Sequence, residues 1–561
     1  MKSLEADWIV VGGGPAGCVL ASRLSEDASK RVILLEAGPD WRSSAAPREI
    51  RSLNGWRPLD SAECRRFYWP GLEALRTPHQ ATRPYLRGRG LGGSSLINGM
   101  MAIHARPDDY DRWAAAGCDG WSYQDMLPYL RRMEADADFG NQTYHGSDGP
   151  MPVERLPRER WELLDDRFAV ATLDLGYPWC EDYNAPTGTG VSPIALSVRD
   201  GARVTTNDAY LEPVRERANL QIVGDATVER VLLDGHRTTG VRVRVGEERI
   251  DVRGGAVVLC AGAIHSPAIL LRSGIGPGKE VADLPVGDGL QDHPLALFWL
   301  DLQPEAHPAG IDSRQYNCCV RYSSGLAGEN DLMMIHMNRP PAMTSLGVEG
   351  DAPAQEATGT WGVGLGDNHD HQPEVRPSTD PSLLALVENQ VVSRGRLVLA
   401  SDDPDAPPRI EHNMLGEASD LVRLREGVRR VRELVATPPF AEVIRHVAID
   451  PMGRGLDSLA DDAEIDRWLL ETVGDAAHLS GTCRMGSPDD ARTVVDPTGR
   501  VLGVDGLWVA DASVFPEIPR ANTHFPTLAA AERISDLARG IAEPAATAGA
   551  SGAASFPHRG F

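Results

Sequence analysis

Gly12-x-Gly14-x-x-Gly17 lies between an apolar run, Trp8–Val11, and a helical run reaching about Leu24; a second apolar run, residues 31–36, ends on Glu36. This strand–turn–helix–strand order, closed by an acid, constrains the chain more than any other feature. The first glycine allows the tight turn, the second lets backbone approach a pyrophosphate, and the third lets the helix pack against the strand. The helix start offers free N–H groups and a positive dipole end to phosphates. Glu36 can accept hydrogen bonds from ribose hydroxyls, and its charge disfavours a 2′-phosphate, which argues against NADP. A lone Gly-x-Gly-x-x-Gly is weak, but this context predicts dinucleotide binding. It does not separate FAD from NAD.

With 561 residues the chain exceeds one ordinary domain and can bury a large core without staples. The net charge of −24 argues against nucleic acid or an anionic membrane as partner. Eight cysteines without Cys-x-x-Cys spacing read as reduced thiols. No run of 18 apolar residues is present, so no membrane span is expected. The glycines at 12–14 interrupt any leader-like stretch, and the expected compartment is the cytoplasm.

Further along, Leu220–Val223, Thr227–Leu233, Gly240–Val245 and Arg249–Val252 read as an antiparallel meander with turns at Asp234-Gly235 and Gly246. Ala256–Cys260 and Leu507–Ala510 read as buried strands, and helices are expected over Ser266–Arg272, Glu417–Leu434 and Thr527–Leu537. His369-Asp-His371 has a metal-like look but no third ligand at a sensible spacing, so it reads as a solvated loop and no metal is expected. Residues 542–561, rich in Ala, Gly, Ser and Pro, read as a disordered tail.

Several ordered segments go beyond these patterns. Arg87-Gly-Arg-Gly-Leu-Gly-Gly-Ser-Ser-Leu-Ile-Asn98-Gly-Met resembles the first signature of the glucose–methanol–choline (GMC) oxidoreductases, and Gly262–Gly276 resembles the second. His478-Leu-Ser-Gly-Thr-Cys-Arg-Met-Gly486, Gly506–Ser513 and Asn522–Thr527 resemble the family's C-terminal active-site segments. Phe67–Pro70 and Asp108–Trp113 are most similar to bacterial oxidases of hydroxymethylfurfural and aryl alcohols. One departure is Gly289-Leu-Gln-Asp-His293, where the family usually has Asn in place of Gly289; a local loop change is expected there.

The resemblance implies an α/β fold: a Rossmann-like FAD-binding domain plus a discontinuous substrate domain with an antiparallel sheet. FAD-binding parts would span 1–150, 201–294 and 474–541, the last with the active-site segment, and substrate-domain parts 151–200 and 295–473. The implied cofactor is FAD, held non-covalently because Ile97 stands where covalent members have His. The implied cofactor contacts are Gly12, Gly14, Gly17, Glu36 and Ala37; Gly92, Gly93, Ser94, Asn98, Gly99 and Met100; and Val228, Asp511, Ala512 and Thr523.

By position, His478 would be the base that takes an alcohol's proton, and Asn522 would support the oxygen, with His524 as rival. The implied partners are a small alcohol and O2 or another electron acceptor. A lyase or decarboxylase on the same scaffold is the alternative. Ala477, before the base, is smaller than the aromatic residue of aryl-alcohol-type relatives.

Overall fold

A computed structural model of the protein describes residues 4–310, 313–326, 328–338 and 382–541. His369-Asp-His371 and the tail 542–561 lie outside these residues.

Five parallel strands form the first layer, in the order Leu220–Val223, Val32–Leu35, Trp8–Val11, Val257–Leu259 and Leu507–Val509. The three central ones are continuous apolar runs, buried on both faces, as the interior of a parallel sheet requires. Leu220–Val223 departs from the expected meander: Leu220 pairs with Val32 and Val223 with Leu35, at the sheet's edge. Asp225, at φ +50°, turns the chain before the meander proper, Ala226–Asp234, Arg237–Val245 and Glu248–Arg253.

A second, antiparallel sheet runs Ile444–Ala448, Pro294–Leu302, Ser382–Glu388, Leu332–Met337, Cys318–Tyr322 and Gly190–Pro193, with Gly474–Asp475 pairing onto Pro294–Leu295. Period-two alternation divides its strands between two cores. Phe298, Met334, Leu384 and Leu386 pack with helices Leu163–Asp174, Ala418–Val435 and Asp462–Thr472. Leu295, Met333, Ile335, Met337 and Val387 join the core that contains the parallel sheet. Gly474–Asp475 therefore delivers His478 from the edge of the second sheet to the space between both.

Two helices begin earlier than their sequence suggests. Gly262–Arg272 starts four residues ahead of Ser266 because the Asp511 carboxylate accepts the Gly262 N–H at 2.8 Å, a cap supplied from 249 residues away. Pro267 lies inside this helix and has no N–H to give Ala263; the Thr482 hydroxyl donates to that carbonyl instead, at 2.7 Å. His524–Arg539 runs through Pro526, which sits in the first turn where no N–H is required. This helix packs on Pro15–Leu24, and its buried Glu532 accepts from Arg23 (2.9 Å) and Tyr210 (2.9 Å) and pairs with the Arg132 charge at 2.6 Å.

Gly17 lies where the first helix crosses the glycine turn, and a Cβ there would overlap the Gly12 carbonyl oxygen. Gly17→Ala should therefore destabilise by about 1–3 kcal/mol or more through overpacking. A thermal-shift measurement checks this, and an unchanged melting temperature would contradict it.

Candidate active site

A cavity of about 480 Å³ opens between the two sheets. Gly12, Gly14, Glu36 and Ala37 line one end, and His478, Asn522, Thr523 and His524 line the other. Gly93, Ser94, Asn98 and Gly99 form one side, with Val228, Asp511 and Ala512 along the length between. Gly17, Gly92 and Met100 stand outside the lining. Gly92, at φ +97°, donates its N–H to the Gly13 carbonyl at 2.8 Å, and Met100 is buried at φ +61°.

The glycine turn is built as its spacing predicts. A Cβ at Gly12 would meet the Cys260 carbonyl oxygen at 2.6 Å, whereas one at Gly14 would meet nothing nearer than 4.0 Å. Space is therefore open over Gly14, beside a helix start that no side chain caps. Glu36 is already engaged: its carboxylate accepts the N–H groups of Gly13 (2.6 Å), Gly38 (2.8 Å) and Gly90 (2.8 Å), pinning three loops around this end. Asp511 likewise accepts from Gly262, Ser266 and Ser513, and burial raises its pKa above the usual value.

At the other end a chain of side chains fixes His478. Residues 291 and 480 exchange both backbone hydrogen bonds (3.1 and 2.9 Å), and Ala476 N–H donates to the His293 carbonyl at 3.0 Å. This pairing sets Nδ1 of His293 2.9 Å from Nδ1 of His478. Nε2 of His293 faces the Pro519 carbonyl at 3.1 Å, and a carbonyl only accepts, so Nε2 carries the proton. His293 Nδ1 is then an acceptor, which places the His478 proton on its own Nδ1. The lone pair of His478 is left on Nε2, where the Asn522 amide nitrogen approaches at 3.1 Å.

Burial pulls the His478 pKa from 6.5 to about 3, with His293 and Arg87 pushing the same way and Asp292 opposing. Burial also takes His293 to about 4. Asp292 accepts the backbone N–H groups of His293 and His478, both at 2.8 Å, and the Tyr85 hydroxyl at 2.6 Å. Burial works to raise its pKa, yet His412, His478 and Arg87 together hold it well below the usual carboxylate range. Arg87 also donates to the Ala477 carbonyl at 2.6 Å, and Asp475 accepts the Ala477 N–H at 3.0 Å. Ala477 is held at φ +59°, a left-handed backbone uncommon for a residue with a side chain. His524 is pulled to about 4 by burial, aided by Arg203. Asn522, not His524, reaches His478.

Residues 6–295 and 391–531 match the two halves of the GMC oxidoreductase family. The chain belongs to that family. It is similar to the 5-(hydroxymethyl)furfural oxidase of Methylovorus sp. (strain MP688), 36% identical over 94% of this chain and 98% of that protein. The oxygen-dependent choline dehydrogenase of Ectopseudomonas mendocina (strain ymp) is 37% identical over 96% of this chain and 94% of its own length. Among solved structures, pyridoxine 4-oxidase from Mesorbium loti superposes with a TM-score of 0.80 at 28% identity, covering 96% of this chain and 99% of that one.

As a GMC oxidoreductase the chain binds FAD and acts on CH–OH donors. The open space over Gly14, the uncapped helix start and the apolar cavity fit that cofactor; Gly12–Gly14 would hold the pyrophosphate and Asn98–Gly99 the flavin end. Among the described residues no helix is long and apolar enough to cross a membrane.

Sequence reasoning missed Tyr85, Arg87, Asp292 and His293. The Asp292-His293 pair was visible beside the substituted Gly289, but its partner is 185 positions away and only the fold shows the contact. The loop change expected there has no backbone cause: Gly289 has φ +82°, which suits Gly and which Asn tolerates better than most residues.

Because His478 is unprotonated down to about 3, kcat/KM for an alcohol should show no acid limb near 6.5. A limb centred at the ordinary histidine value would contradict the assignment. The same depression makes stability fall as pH drops below 6.5 toward 3, since only the unfolded histidine takes up a proton there.

Proposed function

We propose that the protein oxidises a neutral, largely apolar primary alcohol, aryl alcohols included, to the aldehyde, with O2 as electron acceptor. The observation that supports this best is the hydrogen-bond chain from the Pro519 carbonyl through His293 and His478 to Asn522, which puts the unprotonated Nε2 of His478 beside the Asn522 amide on the cavity wall. His478 Nε2 takes the hydroxyl proton, and the Asn522 amide supports the oxygen as negative charge grows on it. FAD, when bound, accepts the hydride from the carbinol carbon. Once protonated, His478 keeps Nδ1–H on His293 and gains the attraction of the Asp292 charge. The C=O bond forms as the C–H bond breaks, so alcohol leaves as aldehyde.

The cavity wall supports this substrate class. Leu295, Met333, Ile335, Met337 and Val387 face the His478 end from the antiparallel sheet, with Tyr316 and the polar Asn389 beside them. The lining carboxylates are occupied: Asp475 by Arg76 (2.7 Å), Asp405 by Arg244, and Glu36 and Asp511 by the N–H and hydroxyl groups described above. Every acid among the described lining residues thus has partners already, which supports a neutral alcohol over choline. The relatives' names, a 5-(hydroxymethyl)furfural oxidase and oxygen-dependent choline dehydrogenases, agree with oxidation by O2.

Anaerobic mixing with a panel of alcohols, followed at the oxidised-flavin absorbance band, tests the reading. Bleaching by neutral aryl alcohols and recovery in air are expected. A yellow protein that no alcohol bleaches would turn the reading toward a lyase. His478→Ala should keep FAD and slow bleaching by at least about a hundredfold; an unchanged rate would remove His478 from the chemistry. Ala477→Trp should hurt large alcohols more than small ones, and an equal loss would show that Ala477 does not set pocket size.

A further inference from the structure

Among the described residues Arg203 carries a charge without a counter-ion. Its side chain is 0% exposed, and its Nη1 donates to the carbonyls of Ser95 (3.2 Å) and Asn98 (2.6 Å) and to the Asn98 side-chain oxygen (2.8 Å). Nε and Nη2 are buried with no hydrogen-bond partner. Other fully buried arginines are compensated: Arg76 by Asp475 at 2.7 Å, Arg520 by Asp109 at 2.9 Å, and Arg321 by lying 3.8 Å from the Tyr183 ring centre. Among the described residues Arg203 has neither an acid in ion-pair reach nor an aromatic face.

The carboxylate that acts on it, Asp208, is committed elsewhere. Asp208 takes both Nη groups of Arg51 at 2.9 Å, together with the backbone and hydroxyl of Thr205. The other groups around Arg203 are the phenols of Tyr68 and Tyr316 and the like-charged Arg51. Burial brings Arg203 down to about 10, so it remains a cation at neutral pH. A buried guanidinium in this state is expensive to maintain.

This charge stands one layer behind the cavity. Asn98 and Tyr316, in its immediate surroundings, line the cavity wall, and His524 in that wall is itself pushed down by Arg203. In the low dielectric there its field reaches the cavity poorly screened. Alcohol oxidation would send two electrons and one proton to the flavin, which gains a negative charge, and leave the other proton on His478.

The geometry points to Arg203 as a positioning residue that acts across Asn98 to stabilise this negative charge, raising the reduction potential of the bound FAD. The inference rests on the proposal that the Asn98 wall takes the flavin end. Its test needs no alcohol, so it can fail without the substrate reading failing.

The holoenzyme, Arg203→Met and Arg203→Lys are compared by midpoint potential and by affinity for sulfite, which adds a negative charge to oxidised flavin. The expected result is at least tenfold weaker sulfite binding in R203M and a lower potential, a tenfold change in the two-electron equilibrium being about 30 mV. R203K, which keeps the charge, should stay near the wild type. Unchanged values in R203M would overturn the inference. Equal losses in R203M and R203K would also overturn it, assigning Arg203 to the hydrogen bonds of the 95–98 turn. If neither variant retains FAD, the wild type decides. Tight sulfite binding and an anionic reduced-flavin spectrum across neutral pH support the inference, and weak binding with a neutral reduced flavin overturns it.

Discussion

The arrangement depends on one short pairing, in which residues 291–293 run antiparallel to 476–480 and the Asp292 carboxylate accepts the His478 N–H. This contact joins the end of the nucleotide-binding half to the segment entering from the antiparallel sheet. It places His293 behind His478 and dictates which nitrogen of each ring holds a proton. Without it, His478 would be a histidine on a loop, free to turn. The left-handed Ala477, clamped between Arg87 and Asp475, shows that the backbone at the base is held in an unfavourable conformation by its surroundings.

Electrostatics divide the cavity. At the Gly14 end an uncapped helix start faces open space, suited to phosphates, while Glu36 spends its charge on three backbone N–H groups. At the other end the base is kept neutral by burial, with an anionic Asp292 behind it ready to favour its protonated form. The wall facing the His478 end from the antiparallel sheet is largely apolar. On the proposed reading, phosphate binding and proton transfer would take place in opposite ends of one cavity, each served by its own backbone turns.

Much of this was legible in sequence. The glycine turn and the buried parallel strands follow from local patterns, since spacing dictates which glycine must lack a side chain, and the site segments follow from the resemblance to the family's signatures. Other features depend on distant partners. The helix from Gly262 starts early because Asp511 caps it, and Leu220–Val223 joins the parallel sheet because Val32–Leu35 offers an open edge. The histidine pair and the environment of Arg203 were equally hidden: a contact across 185 positions, or the lack of an acid around Arg203 among the described residues, leaves no trace in spacing.

The central claim is that His478 is neutral, with its proton on Nδ1 and its lone pair on Nε2 facing the cavity. A neutron crystal structure of the oxidised holoenzyme tests this most directly. The account predicts a proton on Nδ1 of His478, one on Nε2 of His293, and none on Nε2 of His478. A proton on Nε2 of His478 would contradict it.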